Sequence, residues 1–170
     1  MPGQQPSMQP KNKSSKLGSL AAGQLLLFLL TGCGSPAASF VETEVNPKID
    51  VFGIKLNMTE AKLDELISPK VEKAMCIYGY EYDYRDRLIN VGFSAKTSLV
   101  RRVMTKNPET SIYGLKPGIT LEEAYAAIEP LGFVKDDSSK YRFFKENVIL
   151  SITSMTGSNA DGITIEIKPE

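Results

Sequence analysis

Sliding the chain against itself leaves one offset that holds, 61 residues, and this self-similarity constrains the fold more than any other feature of the sequence. Val51-Phe52-Gly53-Ile54-Lys55 falls on Ile112-Tyr113-Gly114-Leu115-Lys116, and Met58-Thr59 falls on Ile119-Thr120. Ile67 matches Ile128, Pro69 matches Pro130, and Tyr80-x-Tyr82 matches Tyr141-x-Phe143. Five of the eight identities lie between Gly53 and Pro69, so the signal is concentrated in one local unit. The expected copies are residues 49–109 and 110–170. A chain of that kind uses one small supersecondary motif twice.

Within each copy the apolar period is first helical and then two. Thr59 and Thr120 stand where an N-cap belongs, and Thr120-Leu121-Glu122-Glu123 has the spacing of a capping box. Met58 before the cap and Leu63 after it suit a hydrophobic staple. Leu63, Leu66 and Ile67 share one helical face, as do Ala124, Ala127 and Ile128. Ser68-Pro69 and Glu129-Pro130 end the helices, because the residue before proline is pushed out of the helical region. In the first copy Val71, Ala74 and Met75 leave room for a second helix.

The strand pattern follows. Tyr78, Tyr80, Tyr82 and Tyr84 alternate with Gly79, Glu81 and Asp83, and Arg85-Asp86-Arg87 turns the chain into Ile89, Val91 and Phe93. Residues 98–106 supply a third strand. The second copy repeats this with 140–144, a turn at Lys145-Glu146-Asn147, then Val148, Leu150 and Ile152, and finally Ile163, Ile165 and Ile167. The expected fold is α+β: two α(α)βββ repeats forming an antiparallel sheet of about six strands, with the helices on one face.

The first 32 residues read as an address. Lys11, Lys13 and Lys16 are the only charges before Glu42, and residues 17–32 carry none, including Leu25-Leu26-Leu27-Phe28-Leu29-Leu30. A basic stretch before a short apolar run is the layout of a secretory signal, and the run falls short of the ~18 residues a membrane span needs. Leu30-Thr31-Gly32-Cys33 resembles the lipobox of bacterial lipoprotein signals. That resemblance implies a signal peptide over 1–32 and a Cys33 that carries diacylglycerol with palmitate-type chains and becomes the new N-terminus. Plainer readings of the run are an unlipidated signal peptide or a buried apolar helix. Residues 33–48, small, polar and Pro-containing, are expected to be a tether. Loss of the three lysines leaves an acidic excess, so acyl chains rather than charge would hold the protein on the extracytoplasmic side of the cell membrane.

Gly118-Ile119-Thr120 and, less well, Asn57-Met58-Thr59 introduce each capped helix ahead of antiparallel strands. This arrangement resembles the SmpA/OmlA family of barrel-assembly lipoproteins, and its tandem use resembles beta-lactamase inhibitor protein. The chain departs from the family pattern at Ile67 and Ile128, two places before the prolines, where a glycine is common. The resemblance implies a fold and a protein-binding life in or outside the cell envelope, without catalysis.

Composition excludes several chemistries. Twenty Lys+Arg balance twenty Asp+Glu, so no basic excess points to nucleic acid. The chain has no His, the commonest general base and metal ligand, and its two Cys are too few for a disulfide framework or a zinc site. No Ser-x-x-Lys, Gly-x-Ser-x-Gly or phosphate-cradling glycine loop occurs. The loop from Gly157 to Gly162 fails as a calcium site, with Gly157 in the first ligand position and Lys168 in the twelfth. Asp136-Asp137-Ser138-Ser139 reads as a solvated loop. Cys76, between Met75 and Ile77, reads as a small buried residue, the other possibility being a reactive thiol. No enzyme activity, cofactor or metal is expected.

What remains is a lipid-anchored binding or assembly module for an envelope or extracellular protein. The runner-up is an inhibitor or sensor of an extracellular enzyme, and a third reading is an enzyme with an unrecognised site. The tyrosine ladder either packs beneath the helices or forms a binding surface. If Tyr80 and Tyr82 face the helices, Glu81 and Asp83 face outward, and strand alternation puts Arg101 and Arg102 on opposite faces. The expected partner-binding patch combines one of these arginines with Glu81, Asp83 and a rim tyrosine, Tyr78 or Tyr84.

Overall fold

Threonine caps start both α-helices among the described residues, 40–68 and 71–169 of the computed structural model. The expected signal peptide (1–32), Cys33 and the first part of the tether lie outside the described residues. Helix α1 (Glu60–Leu66) begins where the Thr59 hydroxyl accepts the Lys62 N–H at 3.3 Å. Helix α2 (Leu121–Ile128) carries the full capping box: Thr120 Oγ1 accepts from the Glu123 N–H, and the Glu123 carboxylate accepts from the Thr120 N–H at 2.9 Å. Satisfying these otherwise orphaned donors is what lets such short helices hold.

The rest is mainly antiparallel sheet. Two short strands, β1 (Ile49–Asp50) and β6 (Ser111–Ile112), pair with each other. The main sheet holds β2 (Lys73–Cys76), β3 (Gly79–Tyr84), β4 (Ile89–Ser94), β5 (Val100–Thr105), β7 (Val134–Lys135), β8 (Arg142–Lys145), β9 (Val148–Thr153) and β10 (Gly162–Ile167). Their order across the sheet is β2-β3-β4-β5-β10-β9-β8-β7. The α+β class with a large antiparallel sheet is as expected, but the sheet has eight strands rather than six. The additional two are its edges. Lys73–Cys76, which has helix-compatible composition, is too short to nucleate a helix by itself and instead pairs with β3.

Register sorts the side chains. Tyr82, Val91, Val103, Ile165, Leu150 and Phe143 lie in one cross-strand row and are buried with Leu63, Ile67, Ala124 and Ile128 of the helices. Both helices therefore cover the same face. The tyrosine ladder belongs to this core: Tyr80 stacks on Phe93 at 4.9 Å between ring centroids, and Tyr82 and Tyr84 are buried. The other face carries Glu81, Gly92, Arg102, Glu166, Ile149 and Phe144 in its matching row.

The part of the expected tether that lies within the described residues is folded. Val41–Val45 and Asn46–Lys48 form consecutive helical turns, and Val41 and Val45 are buried in the core. Asn46 fixes this segment to the body, its amide donating to the Leu56 carbonyl at 3.1 Å and accepting the Leu56 N–H at 2.8 Å. Two apolar residues four apart outweigh the polar composition around them.

Backbone conformation recurs at the 61-residue offset. Left-handed φ values occur at Phe52 and Tyr113 (49° and 55°), at Gly53 and Gly114 (both 78°), and at Asn57 and Gly118 (63° and 100°). The same offset relates the turn bonds Ile54 N–H to Val51 C=O (2.9 Å) and Leu115 N–H to Ile112 C=O (3.0 Å).

Candidate functional site

The six candidates from which one patch was expected are divided by the structure among three places. Tyr84 is in the core, because it has the same strand parity as Tyr82. Asp83 is exposed on the far face and pairs with Arg85 at 3.1 Å. Arg102 reaches over Gly92 of β4 to ion-pair with Glu81 of β3, and also donates to Asn90 at 2.8 Å. A Cβ on Gly92 would sit 3.3 Å from both Cβ and Nε of Arg102, a tight contact to which the arginine would have to give by a few tenths of an ångström.

Arg101 and Arg102 do not point to opposite faces. Gly92 pairs with Arg102 while the next residue, Phe93, pairs with Val100, so Arg101 is the extra residue of a β-bulge. The bulge breaks the alternation: Val100 and Val103 both enter the core, and both arginines leave it. Arg101 is nevertheless only 8% exposed. Its Nη1 donates to Glu166 at 2.6 Å and to the Ile167 carbonyl at 3.3 Å, tying β5 to β10. Removing one partner would leave the other charge largely shielded from water and unpaired, which is destabilising. The Arg101 and Arg102 pairs cross strands while the exposed Asp83–Arg85 pair does not, so joint substitution of Glu81, Asp83, Arg101 and Arg102 changes stability as well as any binding.

Tyr78 and Arg101 do meet, at the end of the sheet where the chain reverses between β2 and β3. The reversal takes two residues, Ile77 and Tyr78, between the paired Cys76 and Gly79. Gly79 has φ +150°, and a Cβ on it would lie 2.1 Å from the Phe93 carbonyl oxygen, so only glycine lets the hairpin seat against β4. The Ala95 N–H donates to the Tyr78 carbonyl at 2.9 Å, fixing the turn to the loop after β4. On and beside this turn stand large apolar side chains in solvent: Ile77 is 92% exposed, Met75, in β2, 79% and Tyr78 51%. The Tyr78 ring lies 5.2 Å from the Arg101 guanidinium carbon.

Beside the turn is a pocket of about 310 Å³. Its walls come from the hairpin turn, the loop of residues 94–99, Asn57, Val100, Arg101, and the end of β10 with the two residues that follow it. Lys96 and Arg101 stand in its wall, and among the described residues no Asp or Glu lines it. Lys168, also in the wall, commits its ammonium to the Glu146 carbonyl at 3.0 Å. The guanidinium of Arg101 makes both hydrogen bonds through Nη1, while its Nε is buried with no acceptor.

Met75 and Ile77 were not among the expected site residues. Their one signal is placement: large apolar residues flanking a two-residue reversal that ends at a glycine. Cys76 between them is half-buried, at the hairpin and not in the core. Among the described residues no group of His, Cys, Asp and Glu is arranged to hold a metal ion, and no helix is long and apolar enough to cross a membrane. Comparison with known proteins finds no matching family model, no matching curated protein and no matching solved structure.

Proposed function

We propose that this chain is a non-catalytic, lipid-anchored module on the extracytoplasmic side of the cell membrane that docks an envelope or extracellular protein through the β2–β3 hairpin end of its sheet. One observation carries the docking: Met75, Ile77 and Tyr78 present an apolar tip to water beside a turn that seats closely against β4 at Gly79. Leaving such side chains in solvent forgoes about 1.5–3 kcal/mol each, and a partner that covers them recovers it. The anchor rests on Leu30-Thr31-Gly32-Cys33 and the uncharged run before it. The same layout supports an architecture of two copies, 49–109 and 110–170, as in the SmpA/OmlA and beta-lactamase inhibitor resemblance. Supporting it are the recurrence of left-handed positions at the 61-residue offset and a sheet order in which the halves run outward from a β5–β10 seam.

The projecting tip also fits the second reading, an inhibitor whose hairpin enters the cleft of an extracellular enzyme. Cross-linking in intact envelopes tests both. Substituting Met75, Ile77 and Tyr78 together by Ser is expected to abolish recovery of the wild-type partner while leaving the unfolding temperature within a few degrees. Undiminished recovery moves the interface elsewhere. The cross-linked protein's own activity, assayed with and without this chain, separates inhibition from assembly.

A further inference from the structure

We infer that the docked protein adds an extended segment of its own to the outer edge of β2, as one more strand of the sheet; this rests on the docking at the hairpin tip and says how the contact is made. The Tyr78 carbonyl accepts from the Ala95 N–H, on the β4 side, at 2.9 Å. Backbone groups alternate sides along a strand, so Gly79 and Glu81 turn theirs to β2, where they meet Cys76 and Ala74. Lys73 and Met75 are left with N–H and C=O directed away from β3, to an edge where no described strand pairs. Donors and acceptors spaced along an extended backbone in this way are matched by another extended polypeptide.

Sheet edges are usually blunted against such pairing, and the two edges of this sheet differ in that respect. Strand β7 is two residues long and runs into Asp136-Asp137, where the Asp136 carboxylate takes the Ser138 N–H at 2.9 Å to close a turn. Strand β2 has four residues, with no proline and no bulge. Its one charge, Lys73, is drawn back over the helix-covered face, the ammonium 3.5 Å from Glu60 and 3.9 Å from the centre of the Tyr80 ring. Ala74 and Met75 are exposed, so the edge is open. Met75 shares the face of its pair Tyr80, and exposed Ile77 stands beyond it. The added strand therefore carries an apolar residue opposite Met75 and stays apolar where it passes Ile77. A second copy of this chain does not match that requirement. Set antiparallel, β2 against β2, it would bring Val71, Glu72 or Lys73 past Ile77, the first already packed on its own core and the others charged. The strand comes from a different protein.

The test uses the full chain, isotope-labelled in detergent, with a capped heptapeptide of alternating Thr and Val as probe. Its control is the same peptide N-methylated at two adjacent central residues, which blocks both of its edges. The probe is expected to shift the amides of Lys73 and Met75 saturably and protect them from exchange, leaving Val134 and Lys135 unchanged. The methylated control should bind about tenfold or more weakly. Met75→Pro removes an outward N–H that β3 does not use, while Met75→Ala loses the same side chain and keeps that N–H. The proline variant should bind the probe about tenfold or more weakly than the alanine variant, at an unfolding temperature within a few degrees. In cross-linked envelopes it should lose the partner that the alanine variant still recovers. Equal binding of the methylated peptide, or equal behaviour of the two variants, would overturn strand addition. So would dimerisation of the chain that itself protects Lys73 and Met75. The docking reading fails separately, by recovery of the partner with the triple serine variant; loss there, with proline and alanine variants alike, sinks the added strand alone.

Discussion

Glu60 belongs to α1 but is held by the sheet. Its carboxylate accepts from the Tyr82 hydroxyl at 2.5 Å and the Tyr80 hydroxyl at 2.8 Å, with the Lys73 ammonium 3.5 Å away. Burial first, and then the bond to Glu60, raise the Tyr82 pKa well above its ordinary 10. Burial and the Glu44 carboxylate push Tyr113 up to about 12. The folded protein therefore holds these protons more tightly than the unfolded chain does. The stability they contribute is complete below about pH 10 and is lost as pH rises through the folded values. Tyr82→Phe should make the alkaline fall in unfolding temperature shallower and remove one late step from the absorbance titration at 295 nm. An unchanged titration would show that Tyr82 ionises with the others. The inward side of this ladder was legible in the sequence, because Tyr80 and Tyr82 recur as Tyr141 and Phe143. The fate of Arg101 was not legible, since a bulge depends on how two strands pair and leaves no mark in either one.

At the scale of elements, caps were the most readable feature because they are local. Thr120→Ala removes the acceptor for the Glu123 N–H and should cost about 1 kcal/mol in urea unfolding. Glu123 has its pKa lowered by the Thr120 N–H first and the Thr120 hydroxyl second. Its contribution is thus present above pH 4.5 and is lost as pH falls through the lowered value, so the stability gap between the wild type and Glu123→Gln should close in acid. A gap that persists at low pH would show that the charge plays no part in the box. The edge strands resisted reading for the opposite reason. Val134–Lys135 is two residues long, and Lys73–Cys76 has no preference strong enough to declare itself before β3 is in place. The pocket was further out of reach, since its wall joins a hairpin, a loop and residues 167–169 that only the folded sheet brings side by side.

For the whole molecule, the proposed anchor makes a separable prediction. Cys33→Ala should abolish incorporation of radiolabelled palmitate and leave an unprocessed or released protein, while the circular dichroism of the released chain matches that of the folded body. Continued anchoring with a processed N-terminus would sink the lipoprotein assignment. The folded body poses a different demand, which follows from the position of β10. Among the described residues this strand comes after the other strands of the sheet in sequence yet lies in its middle, with β5 on one side and β9 on the other. A polypeptide that emerges vectorially, N-terminus first, must wait with two half-sheets whose inner edges are unpaired. Those edges, carrying Val103 and Leu150, are open to mispairing and proteolysis until residues 162–167 close the gap. The final strand is thus the keystone of the sheet, and a chain interrupted before it is a substrate for quality control rather than a smaller version of the same protein.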